Sequence, residues 1–317
     1  MRSIVLFLCF LPLVATANTL PLDDALLATR AACIGIADKL ADLKKMAGIN
    51  TAITGVGTVA GGVALGTGLA KVGVDVEAEQ VEAELQAEID KLNELAATQT
   101  RIDHIPDFEP TPDINVLANS INPSSTIEQK QAELDELTKK SKTLGNIRTG
   151  TLAGATVADT AGTIIAANNK VDEDLETRID ECKTAVESLQ KVIMQARLDG
   201  QDVSKAQQIV NACREYNYID LSPINKRAKG AMVSAIVGAT SGLAGTVTSA
   251  MANTDKTRND NTDAGKQKEK NLNTASNVLA GTTTIASGVA AVFNATQIST
   301  IKKVATVADE CEGALNQ

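Results

Sequence analysis

Residues 55–68 read GVGTVAGGVALGTG, without one charged or aromatic side chain. Three further stretches repeat the pattern: GATVADTAGTIIAA at 154–167, GATSGLAGTVTSAMA at 238–252 and AGTTTIASGVAAVF at 280–293. Within them only Asp159 carries charge, whereas the intervening chain is dense in Lys, Glu and Asp. Branched apolar residues recur at steps of three, four and seven: Ile49, Ile53, Val56 and Val63; Val233, Ile236, Leu243 and Val247; Val278, Ile285, Val289 and Val292. Those steps place each set on one face of an α-helix. No alternating strand pattern occurs anywhere in the chain, so the fold class is all-α.

The helices are long, with identifiable interruptions. Helix is expected from Leu22 to about Thr98, and again from Thr126 to about Leu198. Pro106, Pro110, Pro112 and Pro123 break the pattern between them and predict a loop over 101–125. Asp199-Gly200-Gln201-Asp202 is a turn followed by a helix start, Pro223 marks a kink or short loop, and TDKTRNDNTDAGKQ at 254–267 is a polar turn. In an antiparallel pair of helices, facing residue numbers add to a constant. By that criterion the four small-residue segments can share one level of an elongated up-down-up-down four-helix bundle with a Gly/Ala/Thr-rich central layer. The close-packing positions are Gly57, Gly61, Gly62, Gly66, Gly154, Gly162, Gly238, Gly242, Gly245, Gly281 and Gly288. Residues 72–148 form a protruding helical hairpin, and 18–317 is expected to be a single body.

MRSIVLFLCFLPLVATANT opens the chain with one Arg, an apolar run and an Ala15-Thr16-Ala17 ending. This pattern predicts a signal peptide over 1–17 and export beyond the cytoplasm, where disulfides persist. The four remaining cysteines, Cys33, Cys182, Cys213 and Cys311, lie at similar sequence distances from their nearest small-residue segments. The bundle register therefore gathers them at one end and predicts Cys33–Cys311 and Cys182–Cys213.

Composition excludes several functions. A net charge of −9 argues against nucleic acid, and no basic face interleaved with aromatics offsets it. Aromatic residues make up 2% of the chain and Trp is absent, which argues against an ordinary ligand pocket. Nucleophile-elbow, phosphate-loop and paired-cysteine motifs are missing. His104, beside Asp103, Asp107 and Glu109, reads as a solvated loop histidine, so no metal or cofactor is expected. Asn294-Ala295-Thr296 fits a glycosylation acceptor but falls within a helix. Asp159 alone invites a functional reading, as a lumen-lining or inter-helix hydrogen-bonding group.

From Met46 to Ala70, and from Gly230 to Thr254, no helix face carries charge. Such a length of helix exceeds the roughly 20 residues needed to cross a bilayer. In water the branched stripe would face inward, and in a membrane it would face outward while Gly, Ala, Ser and Thr pack between helices. The expected function is an exported, non-enzymatic structural or interaction protein that associates with membrane or with itself. The alternatives are a soluble binding module with an unknown protein partner and a secreted α-helical pore-former.

Overall fold

The computed structural model describes residues 21–102, 123–258 and 262–317, and leaves the side chains of 95–102, 123–124 and 255 undescribed. The signal peptide expected at 1–17, His104 and most of the Pro-rich segment therefore lie outside the described residues. Among the described residues every regular element is helical. They are α1 (Leu22–Cys33), α2 (Ile36–Ile102), α3 (Pro123–Asn168), α4 (Glu173–Leu198), α5 (Ser204–Cys213), α6 (Ser222–Ala252), α7 (Asp255–Arg258) and α8 (Asp263–Leu315), with a 3₁₀ turn at Arg214–Tyr218.

Two breaks were not foreseen. Helix stops at Ile34–Gly35, where Gly35 adopts φ 88°, a conformation an L side chain resists. The carboxylate of Glu312 accepts from the backbone N–H groups of Gly35 (3.1 Å) and Ala37 (2.9 Å), satisfying the start of α2 with charge of favourable sign. Helix also stops between Asn168 and Glu173. Asp172 caps α4 by accepting from Leu175 N at 2.7 Å, with Glu173, Asp174 and Glu176 in its first turn. An Asp followed by an acidic run was a legible start signal. The Gly200 turn is as expected: φ is 74°, and Gln201 N donates to Ala196 O at 2.9 Å.

The described residues divide into two compact units, and the chain leaves and re-enters each of them. Of the described residues, unit 1 comprises 21–45, 171–224 and 299–317, and unit 2 comprises 46–102, 123–170, 225–258 and 262–298. Unit 1 has a conventional apolar core: Ile36, Leu40, Ile179, Leu189, Ile224 and Ile301 are buried, as is the ring of Tyr216. The amphipathic helix α4 turns Leu175, Ile179, Cys182, Val186 and Leu189 to one side, the spacing that hydrophobic burial requires.

The cysteines of unit 1 require a correction. Cys33 bonds Cys182, and Cys213 bonds Cys311, rather than Cys33–Cys311 and Cys182–Cys213. All four are fully buried, and the sulfurs of Cys33, Cys182 and Cys311 lie within 4.8 Å of one another. The common level was correctly anticipated, but level cannot choose between lateral neighbours. Packing chose: α1 lies on α4, where the Thr29 hydroxyl reaches Ala185 O at 3.3 Å, and α5 ends at Cys213 against the last turns of α8.

In unit 2, pairs of contacts define the register. Between α2 and α8, Asn50 meets Asn294, Gly61 meets Thr284 and Lys71 meets Glu269. Between α2 and α3, Gly57 meets Asp159, Ser141 meets Asp75 and Glu84 pairs with Lys130. Between α3 and α6, Thr156 meets Gly242 and Arg148 meets Ser249. Between α6 and α8, Gly230 meets Phe293 and Gly245 meets Ser276. In each pair of helices, numbers rise on one as they fall on the other. Farther along α2 and α3, Val74, Val81 and Leu137 make a small apolar cluster.

Candidate functional site: the buried polar axis of unit 2

Unit 2 inverts the usual distribution of side chains. Asn50, Thr54, Lys71, Arg148, Asp159 and Asn169 are fully buried, as are Ser249, Ser276, Ser287, Asn294 and Gln297. The branched stripe points the other way. Val56 is 61% exposed, Leu243 59%, Val278 64%, Ile285 70% and Val292 63%, and Val59 and Val157 are bare as well.

Small residues explain why polar groups occupy the interior. A Cβ on Gly57 would lie 2.8 Å from Asp159 Oδ1, and one on Gly238 would overlap Oδ2 outright. The Asp159 carboxyl fits only because both flanking helices present glycine. Ser287 closes the site, its Oγ 2.7 and 2.9 Å from the two carboxyl oxygens and 2.8 Å from Thr283 O. One hydroxyl proton cannot serve both the carbonyl and the carboxyl. When Ser287 donates to Thr283, its contact with Asp159 is complete if the acid itself carries a proton. Among the described residues no cation contacts Asp159, so its setting is a neutral pocket of glycine and hydroxyl.

Arg148 provides the axis with its strongest donors. Its Nε donates to Ser249 Oγ (2.9 Å), Nη2 to Asn273 Oδ1 (2.8 Å) and Nη1 to Asn277 Oδ1 (3.2 Å), so one guanidinium ties α3 to α6 and α8. Lys71 is neutralised by Asp75 at 2.6 Å and Glu269 at 3.3 Å. Toward the other end, Asn50 donates to Asn294 at 3.0 Å, leaving Asn50 Oδ1 and Asn294 Nδ2 buried without partners among the described residues. Burial of Asn294 removes the glycosylation reading on physical grounds.

The outward threonines are also satisfied without solvent. Exposed Thr160, Thr240 and Thr296, and half-buried Thr282, each donate to the carbonyl four residues earlier, at 2.7–3.0 Å. Their outer surface is therefore largely methyl.

The anticipated packing glycines separate into two groups. Gly57, Gly61, Gly162, Gly238, Gly242 and Gly245 abut neighbouring helices closely. Gly288 makes only ordinary contact with Thr58, and Gly62, Gly66, Gly154 and Gly281 have no neighbour within 4 Å. On α2 the open group extends to Gly48, Gly55 and Gly73, on the side opposite Gly57, Gly61 and Gly68. Spacing alone could not separate the two faces, because glycines recur at helical intervals on both.

Three stretches, within 22–94, Ser222–Ala252 and Asp263–Leu315, have the length and composition to cross a membrane, with mean hydropathy 1.4 in their best windows. In unit 1, burial raises the Tyr216 phenol above its ordinary range, and the charges of Glu312 and Asp309 add to the effect. Its hydroxyl has no partner among the described residues. Asp202 is held below the ordinary carboxyl range by the Ser204 backbone N–H and hydroxyl, at the start of α5. No known protein family, curated protein or solved structure matches this chain.

Proposed function

We propose that this is an exported, non-enzymatic membrane protein whose unit 2 spans the bilayer as an up-down-up-down four-helix bundle and associates with further helices through α2. The observation that carries this reading is the inversion of unit 2, with branched residues outside and Asp, Asn, Arg, Ser and Thr inside. In water, exposing so much branched surface while burying so many polar groups forfeits the hydrophobic driving force. In hydrocarbon the same arrangement is the stable one, since lipid covers Val, Ile and Leu while polar groups satisfy one another between helices.

The four rods alternate in direction, with the small-residue segments forming a common layer around Asp159. Antiparallel running of the α2–α8, α2–α3, α3–α6 and α6–α8 contacts supports that order. Unit 1, with its apolar core and two disulfides, is the water-soluble part, and its cystines suit an oxidising compartment. The open glycines of α2 favour self-association. Each glycine within a helix costs roughly 0.5–1 kcal/mol relative to alanine, and Gly48, Gly55, Gly62, Gly66 and Gly73 have no neighbour to benefit from the missing Cβ. A second helix laid along that face would use it.

Membrane fractionation of the mature protein is the test. Retention in the pellet after alkaline carbonate, together with release by detergent, is expected. A protein that stays monodisperse in detergent-free buffer at high salt would refute the reading.

A further inference from the structure

One end of unit 2 carries positive charge that its own residues do not balance. No Asp or Glu occurs over 46–70, 225–254 or 271–298, and Asp159 is the one acid of 149–170. Against that background stand Lys170, just past the end of α3, and Lys226, Arg227 and Lys229 in the first turns of α6. Contacts with α8 bring them to one level. Asn169 and Gln297 exchange two hydrogen bonds, at 2.9 and 3.3 Å, and the carbonyl of adjacent Thr296 accepts from Arg227 Nη1 at 3.0 Å.

Arg227 is half-buried and held by that carbonyl, whereas Lys170, Lys226 and Lys229 are exposed and pair with no carboxylate among the described residues. Of the acids that flank these segments in sequence, Asp172 caps α4, Asp174 pairs with Lys39 and Asp220 accepts from Ser222 N. The lysine pairs at 44–45 and 302–303 outnumber Asp42 and Glu173. The far end of unit 2 is different. There Lys71 pairs with Asp75 and Glu269, Lys266 pairs with Glu82, and Glu77 and Glu79 add further acid.

The lysines of α6 also adjoin apolar surface. Steps of three, four, three and one from Lys226 lead through Lys229 to Val233, Ile236 and Val237 on the same helix face, and these three are 49%, 44% and 44% exposed. Ammonium groups therefore give way to branched side chains within about one turn. We infer that this rim of unit 2 selects anionic phospholipids, Lys170, Lys226 and Lys229 meeting the headgroup phosphates of one leaflet while Val233, Ile236 and Val237 meet the acyl chains. A zwitterionic headgroup sets its own cation beside its phosphate, so an anionic one gains more from unpaired lysines. Free phosphate would satisfy the lysines but leave the branched face uncovered. The inference rests on the reading that unit 2 spans a bilayer, which puts these lysines at headgroup depth.

The test uses the full mature chain in nanodiscs of phosphatidylcholine containing a minor fraction of phosphatidylglycerol, with the lipid retained after gentle delipidation counted by native mass spectrometry. One lysine near an anionic surface is worth about fivefold in lipid preference. Wild type should therefore favour phosphatidylglycerol by at least about twentyfold, and K229Q should lower that ratio about fivefold. K170Q/K226Q/K229Q should abolish the preference while still entering nanodiscs, and K268Q, exposed at the far end of unit 2, should keep it. Equal retention of the two lipids by wild type, an unchanged preference in the triple variant, or a loss in K268Q as large as in K229Q would overturn the inference and leave the membrane reading standing. Displacement of the lipid by millimolar inorganic phosphate would overturn the lipid assignment in favour of a free-anion site. A chain that never enters nanodiscs would sink both readings.

Discussion

Gly61 and Gly62 are adjacent on α2 and point about 100° apart around it, one against α8 and one into open space, so the same substitution at each isolates helix packing from helix propensity. A Cβ on Gly61 would lie 2.7 Å from Thr284 Oγ1 and 3.2 Å from Thr284 Cα and N. The hydroxyl cannot swing aside freely, since it is bonded to Ala280 O at 2.8 Å, and the backbone atoms cannot move unless α2 and α8 separate. Overpacking of this kind costs about 1–3 kcal/mol, against which alanine in place of glycine returns roughly 0.5–1 kcal/mol. Gly61→Ala should therefore be neutral to destabilising, by up to about 2.5 kcal/mol. A Cβ on Gly62 meets nothing within 4 Å, so Gly62→Ala should keep the propensity gain and be stabilising. Subtracting one variant from the other removes the propensity term and leaves a steric difference of about 1–3 kcal/mol. Chemical unfolding in one mild detergent, followed by helical circular dichroism with the slope checked for constancy, measures it. If the two variants shift the midpoint equally and in the same direction, α2 and α8 do not approach closely at Gly61, and the four-rod arrangement built on that approach fails. Gly62→Ala should also lower any dimer fraction seen in cross-linking, since it fills the open face of α2.

Asp159→Asn preserves the shape between Gly57 and Gly238 and keeps a partner for Ser287, while removing a carboxyl whose charged form costs on the order of 2.5–3.5 kcal/mol in hydrocarbon. The variant should be more stable than wild type in detergent and Asp159→Leu less stable; an asparagine variant weaker than the leucine one would contradict the packing of that site. Tyr216→Phe removes a buried hydroxyl that has no partner among the described residues, so thermal stability should rise, by up to about 1 kcal/mol. Because burial raises the folded-state pKa of this phenol, the unfolded chain releases its proton first, near pH 10. Wild-type stability should thus decline above that pH, with a shallower decline in Tyr216→Phe; identical alkaline profiles would show that the phenol is not buried in solution. Non-reducing peptide mapping should recover Cys33 linked to Cys182 and Cys213 linked to Cys311, and the Cys33→Ala/Cys182→Ala double variant should lose about 2–4 kcal/mol in the unfolding of unit 1. Recovery of Cys33 with Cys311 would instead restore the pairing that helix register alone implies.

Helical class and the places where charge disappears were legible in the residues themselves, because hydrophobic periodicity and the absence of Lys and Glu are local properties of a segment. Rise per residue is fixed in a helix, so the segments GVGTVAGG, GATVADTAG, GATSGLAG and AGTTTIASG could be compared by level, and the common layer that comparison suggests belongs to the proposed bundle. The Gly200 turn was legible too, from a polar run that holds the one residue able to take positive φ. Lateral choices were not accessible in this way. Which cysteine bonds which depends on side-by-side neighbours around the end of unit 1, and level says nothing about them. Whether the stripe of Val56, Leu243 and Ile285 turns inward or outward depends on what Asp159, Arg148 and Asn50 find opposite them. Only the packed chain supplies Gly57 and Gly238 beside one carboxyl, and Ser249, Asn273 and Asn277 around one guanidinium. Tertiary structure decided those matters because hydrogen bonds and close packing between distant segments are properties of pairs, and a linear pattern records only its own half of each.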